Sequence, residues 1–90
     1  MRIRIGSHTL MRAEERGTSE AESGDVLATG FSIPAKHGKL GKAKVYEFGR
    51  LRRGKPYEQK RVEVFFVDEG DELNTITVYV FYGKWEVTGK

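Results

Sequence analysis

The chain divides into a helix-patterned N-terminal third and a strand-patterned remainder, and that order leaves few folds open to it. Ser7 precedes His8-Thr9-Leu10-Met11-Arg12-Ala13-Glu14-Glu15-Arg16 and Gly17 follows, so an N-cap and a left-handed C-cap bracket a helix from about His8 to Arg16. Ser19 and Glu22 have capping-box spacing, Val26 and Leu27 supply an apolar patch, and Gly30 would stop a second helix. Gly24 weakens the interior of that helix by about 1 kcal/mol relative to alanine. From Phe31 onward the residues are β-branched and aromatic in short runs. Strands are predicted near Phe31 to Ile33, Lys44 to Arg50, Tyr57 to Val67 and Leu73 to Tyr82. The expected fold class is α+β, with one or two N-terminal helices packed on one face of a mainly antiparallel sheet of about four strands.

Alternate residues of a strand share a face, so the two longest runs sort their own side chains. Val62, Val64 and Phe66 in one, with Ile76, Val78 and Val80 in the other, should face the helices. Gln59, Arg61, Glu63, Thr75, Thr77 and Tyr79 then fall on a mixed polar and aromatic face, which Phe65 and Phe81 on the same side suggest is partly covered. Lys60 points the other way and joins that face only if its strand is bulged or open at that end. The acidic run Asp68-Glu69-Gly70-Asp71-Glu72 reads as the hairpin turn between them.

Ninety residues make one domain over 1–90, with a thin core. The chain has no cysteine, which removes disulfides, thiolate zinc sites and cysteine nucleophiles, and suits a reducing cytosol. The start Met1-Arg2-Ile3-Arg4-Ile5 lacks a signal-peptide core, and no apolar stretch approaches the about 20 residues that span a bilayer, so the expected location is cytoplasmic, off the membrane. A formal net charge of +3 favours anionic partners. Two separated histidines do not make a zinc site, and the acidic run lacks EF-hand spacing, so neither a metal nor a cofactor is expected. No Ser-His-Asp arrangement is recognisable.

What remains is a cationic pattern with a proton-transfer group in it. His8, Arg12 and Arg16 recur every four residues and so share one helix face. An imidazole near neutral pH takes or returns a proton, whereas its structural alternative is a helix-terminus residue bonded to backbone. Guanidinium groups hold phosphate through paired hydrogen bonds; as a bland alternative Arg12 and Arg16 pair with Glu15 or Glu20 on a solvated face. Arg61 and Glu63 share a strand face as a clamp beside a carboxylate, or as an ordinary ion pair. The basic loop with Lys39, Lys42 and Lys44 lacks P-loop spacing; it could track a nucleic-acid backbone or be a solvated hairpin. Lys60 adds a further cation, and Tyr79 is the aromatic best placed to stack on a base of single-stranded RNA. His37, in the loop, ranks below His8.

The stretch Gly6 to Gly30, with Ser7-His8, Arg12 and Arg16-Gly17 ahead of a sheet, resembles a small family of bacterial domains similar to the RelE/BrnT-like toxins of the barnase, EndoU, colicin and RelE group. The resemblance implies a metal-independent endoribonuclease, the toxin of a toxin-antitoxin pair, restrained by a cognate antitoxin protein. In that chemistry the ribose 2′-OH attacks the adjacent phosphorus, cations stabilise the phosphorane, and an acid protonates the leaving 5′-oxygen. Carried onto this chain, it makes His8 the acid or base, Arg12 and Arg61 the phosphate clamps, and Glu63 a second proton-transfer group; Arg16, Lys39, Lys42, Lys44, Lys60 and Tyr79 would bind RNA. Two other readings use the same residues: a non-catalytic RNA-binding module, and a protein-interaction domain docking a partner or a second copy as a homo-oligomer. The combined site requires that the helix face and the sheet face meet.

Overall fold

A computed structural model of the chain describes residues 2–85. Its elements run β1 (Arg2–Ile5), α1 (Ser7–Arg16), α2 (Glu20–Thr29), β2 (Phe31–Ile33), β3 (Leu40–Arg52), β4 (Lys55–Asp68) and β5 (Glu72–Gly83). The strands form one five-stranded sheet in the order β1-β5-β4-β3-β2. The α+β class and the helices packed on the sheet agree with expectation. The count of about four strands does not, because Arg2–Ile5 adds a fifth, and it runs parallel to β5 while the other pairings are antiparallel. A four-residue strand that pairs only with Glu72 to Thr75 has too short an alternation to stand out in the sequence.

Helix boundaries follow the capping chemistry. Gly6, not Ser7, occupies the N-cap of α1, and Gly17 closes it at φ 102, with its N–H donating to Ala13 and Glu14 carbonyls. A side chain at Gly17 would collide with the Tyr82 hydroxyl, so left-handed backbone and close approach both select glycine there. Ser19 caps α2 as the spacing predicts, its Oγ accepting from the Glu22 N–H at 3.1 Å. At the far end Gly30 lets α2 meet β3, since a Cβ there would stand 2.6 Å from the Ala43 carbonyl oxygen.

The core lies between helices and sheet: Ala13, Val26 and Leu27 pack on Val62, Val64, Phe66 and Val78. Val62, Val64 and Val78 are fully buried, as the alternation requires. Burying a side chain of this size stabilises by about 1.5–3 kcal/mol, so this small cluster carries much of the fold's hydrophobic stabilisation. The pattern in β5 changes at a bulge, where Phe65 pairs with Thr77 but Phe66 pairs with Thr75, leaving Ile76 as the extra residue. Parity therefore reverses below it. Thr75, expected on the polar face, is buried at 4 % exposure on the helix side beside Leu73, and Ile76 leaves the helix-facing set.

Candidate nucleic-acid interface on the open sheet face

Strand register orders the face opposite the helices into rows. Phe31, Ala43, Glu63 and Tyr79 stand side by side across β2, β3, β4 and β5; the next row is Ile33, Gly41, Phe65 and Thr77, and on the other side lie Val45, Arg61 and Phe81. Small residues in β3 let large neighbours lean inward: a Cβ on Gly41 would sit 2.9 Å from both Ile33 and Phe65. The result is an aromatic surface. Phe65 and Tyr79 meet edge to face at 6.0 Å, and Tyr79 and Phe81 lie 6.3 Å apart. Phe31, Tyr79 and Phe81 are 49 %, 41 % and 47 % exposed, so none of the described residues covers these rings as the sequence suggested.

Charge is set into the middle of this surface. Arg61 Nε donates to Glu63 Oε2 at 2.9 Å, and its guanidinium lies 5.2 Å from the centre of the Phe31 ring. Ion pair and ring together hold the Arg61 guanidinium while leaving most of its five N–H donors available. Gln59, on the same alternation, donates to Glu47 and accepts from the Trp85 backbone N–H, closing that end of the face.

The helix row meets this face along the β5 edge. Among the described residues β5 has no partner strand on its outer side beyond Thr75, and α1 covers its carbonyls instead: Thr9 Oγ1 donates to Ile76 O at 3.3 Å, and Arg16 Nη1 to Val78 O at 2.8 Å. His8, Arg12 and Arg16 line a cleft of about 210 Å³ with Ile76, Thr77 and Val78. Arg16 then crosses the edge, its guanidinium 5.2 Å from the centre of the Tyr79 ring. His8 and Arg12 are exposed, and Arg16 is half-buried. On the other flank Lys36, His37 and Lys39 border a hollow with Phe65, Thr77 and Tyr79. Each histidine thus lines a hollow that Thr77 also borders.

The remaining cations divide differently. Lys42 and Lys44 lie on the helix side of β3, where Lys42 Nζ donates to the Leu27 carbonyl at 2.9 Å and Lys44 Nζ to Asp25 at 2.7 Å. Lys60 points the same way, as the alternation predicts, and its Nζ donates at 2.8 Å to both the Gly17 carbonyl and Glu22. These lysines clamp helices to sheet and do not reach the open face. Lys39 does border it. Hydrogen bonds from Lys44 and Tyr46 hold the Asp25 carboxyl below its ordinary 3.8, and burial together with Asp25 raises the Tyr46 hydroxyl.

Of the residues singled out from the sequence, the structure sets His8, Arg12 and Arg16 along the β5 edge and Arg61, Glu63 and Tyr79 on the open face of β4 and β5, with Arg16 reaching Tyr79. His37, ranked below His8, borders the open face with Lys36, which the sequence did not single out, and Phe65 and Phe81 belong to that face instead of marking its cover. Their alternation with Arg61 and Tyr79 was the available signal. Phe31 belongs to the face only through pairing with Ala43, and no local pattern encodes that. Among the described residues no three His, Asp or Glu groups gather as a metal site requires. No described helix is long and apolar enough to cross a membrane. Comparisons of the chain with protein-family models, curated proteins and solved structures find no match.

Proposed function

We propose that the chain binds single-stranded RNA across the open face of its sheet and cleaves it without a metal at the β5 edge, as a RelE/BrnT-like endoribonuclease would. The observation that carries the reading is the seat of Arg16 on Tyr79, which joins the His8-Arg12-Arg16 row to the aromatic face. Bases stack on Tyr79, Phe81 and Phe31, because any base offers a π-face to an exposed ring. A phosphate leaving the stack over β5 meets Arg12 and Arg16. The imidazole of His8 either takes the proton of the attacking 2′-OH or gives one to the leaving 5′-oxygen, and the cations offset charge on the phosphorane. Glu63, with Arg61 beside it, is the second proton-transfer group, one strand in from the edge. The same face is where a cognate antitoxin would block the toxin, by covering rings and cations together.

The test is incubation of wild-type and His8→Ala protein with labelled mixed-sequence RNA in EDTA, with product termini identified. Wild type should leave 2′,3′-cyclic phosphate, and the variant should lose cleavage by about 10²–10⁴-fold while still binding. A second reading, a binding module without catalysis, is favoured by the exposure of Phe31, Tyr79 and Phe81, which stacking explains without any acid or base. Under that reading neither protein cleaves, and both bind.

A further inference from the structure

A second cationic site lies on the far side of Arg16. Glu15, Arg16, Arg52, Arg53, Lys55, Tyr57, Val80 and Tyr82 enclose a cleft of about 480 Å³ between the C-terminal end of α1 and the β3–β4 turn. Arg16, Arg52, Arg53 and Lys55 form no ion pair among the described residues, although a carboxylate, Glu15, lines the same cleft. Unpaired like charges repel, so bringing these cations together costs stability unless an anion sits between them.

The cleft is also built in advance. Arg52 Nη2 donates to the Glu15 carbonyl at 3.0 Å, and its guanidinium lies 5.0 Å from the centre of the Tyr82 ring. Tyr82 is itself fixed, donating to the Arg16 carbonyl at 2.8 Å and packing against Phe48 and Tyr57. Arg53 and Gly54, at φ 52 and 81, form the tight turn that carries Arg53 and Lys55 to the rim. Two guanidinium groups oriented by rings and carbonyls, with two exposed cations at the rim, suit the several acceptor oxygens of a phosphate group.

We infer that this cleft is a phosphate-binding site that shares only Arg16 with the row beside the aromatic face, and that Arg52, Arg53 and Lys55 hold the phosphate whether or not RNA occupies that face. Its ligand is either a phosphate of a nucleic-acid strand passing over Arg16 or the phosphate of a small free molecule, and the chemistry of recognition is the same. The experiment is titration of the labelled protein with inorganic phosphate, following Arg side-chain and tyrosine resonances, with chloride at matched ionic strength as control. Resonances of Arg52 and Tyr82, which line this cleft and not the one beside His8, should shift and saturate with phosphate alone. In an Arg53→Asn/Lys55→Ala variant the phosphate dissociation constant should rise about tenfold or more. Both positions are exposed and asparagine accepts the left-handed backbone, so the fold is kept. Absent shifts, shifts that chloride reproduces, or unchanged affinity in the variant overturn the site.

A single-stranded oligoribonucleotide then separates the sources. If a strand phosphate is the ligand, the oligomer moves the cleft resonances, and the variant flattens its log-affinity against log-salt slope by about 1.4, at about 0.7 per lost contact. If the ligand is a small phosphorylated molecule, inorganic phosphate moves these resonances and the oligomer does not. Failure of the RNA reading registers elsewhere, as Tyr79 and Phe81 resonances that no oligomer perturbs.

Discussion

The Lys60 ammonium, at 9 % side-chain exposure, ties the C-terminal end of α1 to α2 through the Gly17 carbonyl and Glu22. A lysine so enclosed is costly to lose, since removal takes its partner from the Gly17 carbonyl and leaves the Glu22 carboxylate with only the Thr18 hydroxyl among the described residues. Lys60→Met should therefore lower stability by about 3 kcal/mol, read as a lower urea midpoint at unchanged slope. RNA affinity of the variant, measured where it is still folded, should match wild type. A loss of affinity without a loss of stability would instead make Lys60 an RNA contact. Arg16 behaves in the opposite way at the same helix end: one N–H is given to Val78, yet the guanidinium plane stays on Tyr79, where a base or phosphate can reach it.

Between elements, the contact of α2 with β3 is organised by Asp25, which accepts from Lys44 at 2.7 Å and from the Tyr46 hydroxyl at 2.6 Å. These bonds favour the ionised carboxylate, so its folded pKa lies below the ordinary 3.8. A group whose folded pKa is depressed contributes stability that is present above its unfolded pKa and is lost as pH falls through the folded one. The wild-type urea midpoint should fall as pH drops below 3.8, and Asp25→Asn should lack that component of the fall. If the two pH profiles run parallel, the Asp25 bonds do not couple to folding. The β5 bulge is the other decisive feature at this scale. It directs Thr77, Tyr79 and Phe81 to the open face and Thr75 to the core, where no partner for its Oγ1 is seen.

Across the whole molecule, helices close one face of the sheet and leave the other to aromatic rings with cations at two flanks, in a chain of net charge +3. Stacking and charge then respond to different perturbations. Tyr79→Ala should weaken binding of a single-stranded oligoribonucleotide by about 1–3 kcal/mol with the salt slope unchanged, because a stack releases no counterions. Arg12→Ala should flatten that slope by about 0.7, one phosphate contact, and leave stacking intact. Identical slopes in wild type and Arg12→Ala would remove Arg12 from the phosphate path. Equal affinities in wild type and Tyr79→Ala would remove the open face as the RNA surface.

By itself the sequence determined what depends on near neighbours along the chain. The Ser19 cap, the Gly17 stop, the alternation that buries Val62 and Val64 and turns Arg61 and Glu63 to the opposite face, and the four-residue row of His8, Arg12 and Arg16 all follow from local geometry. Tertiary structure alone decided what depends on pairing between distant segments. The parallel seat of Arg2–Ile5, the single-residue bulge that reverses β5, the entry of Phe31 into the aromatic face and the separation of Lys42 and Lys44 from it are all consequences of register and packing. A shift of one residue in register exchanges the faces of a strand, and the hydrophobic core selects the register by the total area it buries. That sum runs over the whole fold, so which cations remain on the open surface is set by the molecule and not by any segment of it.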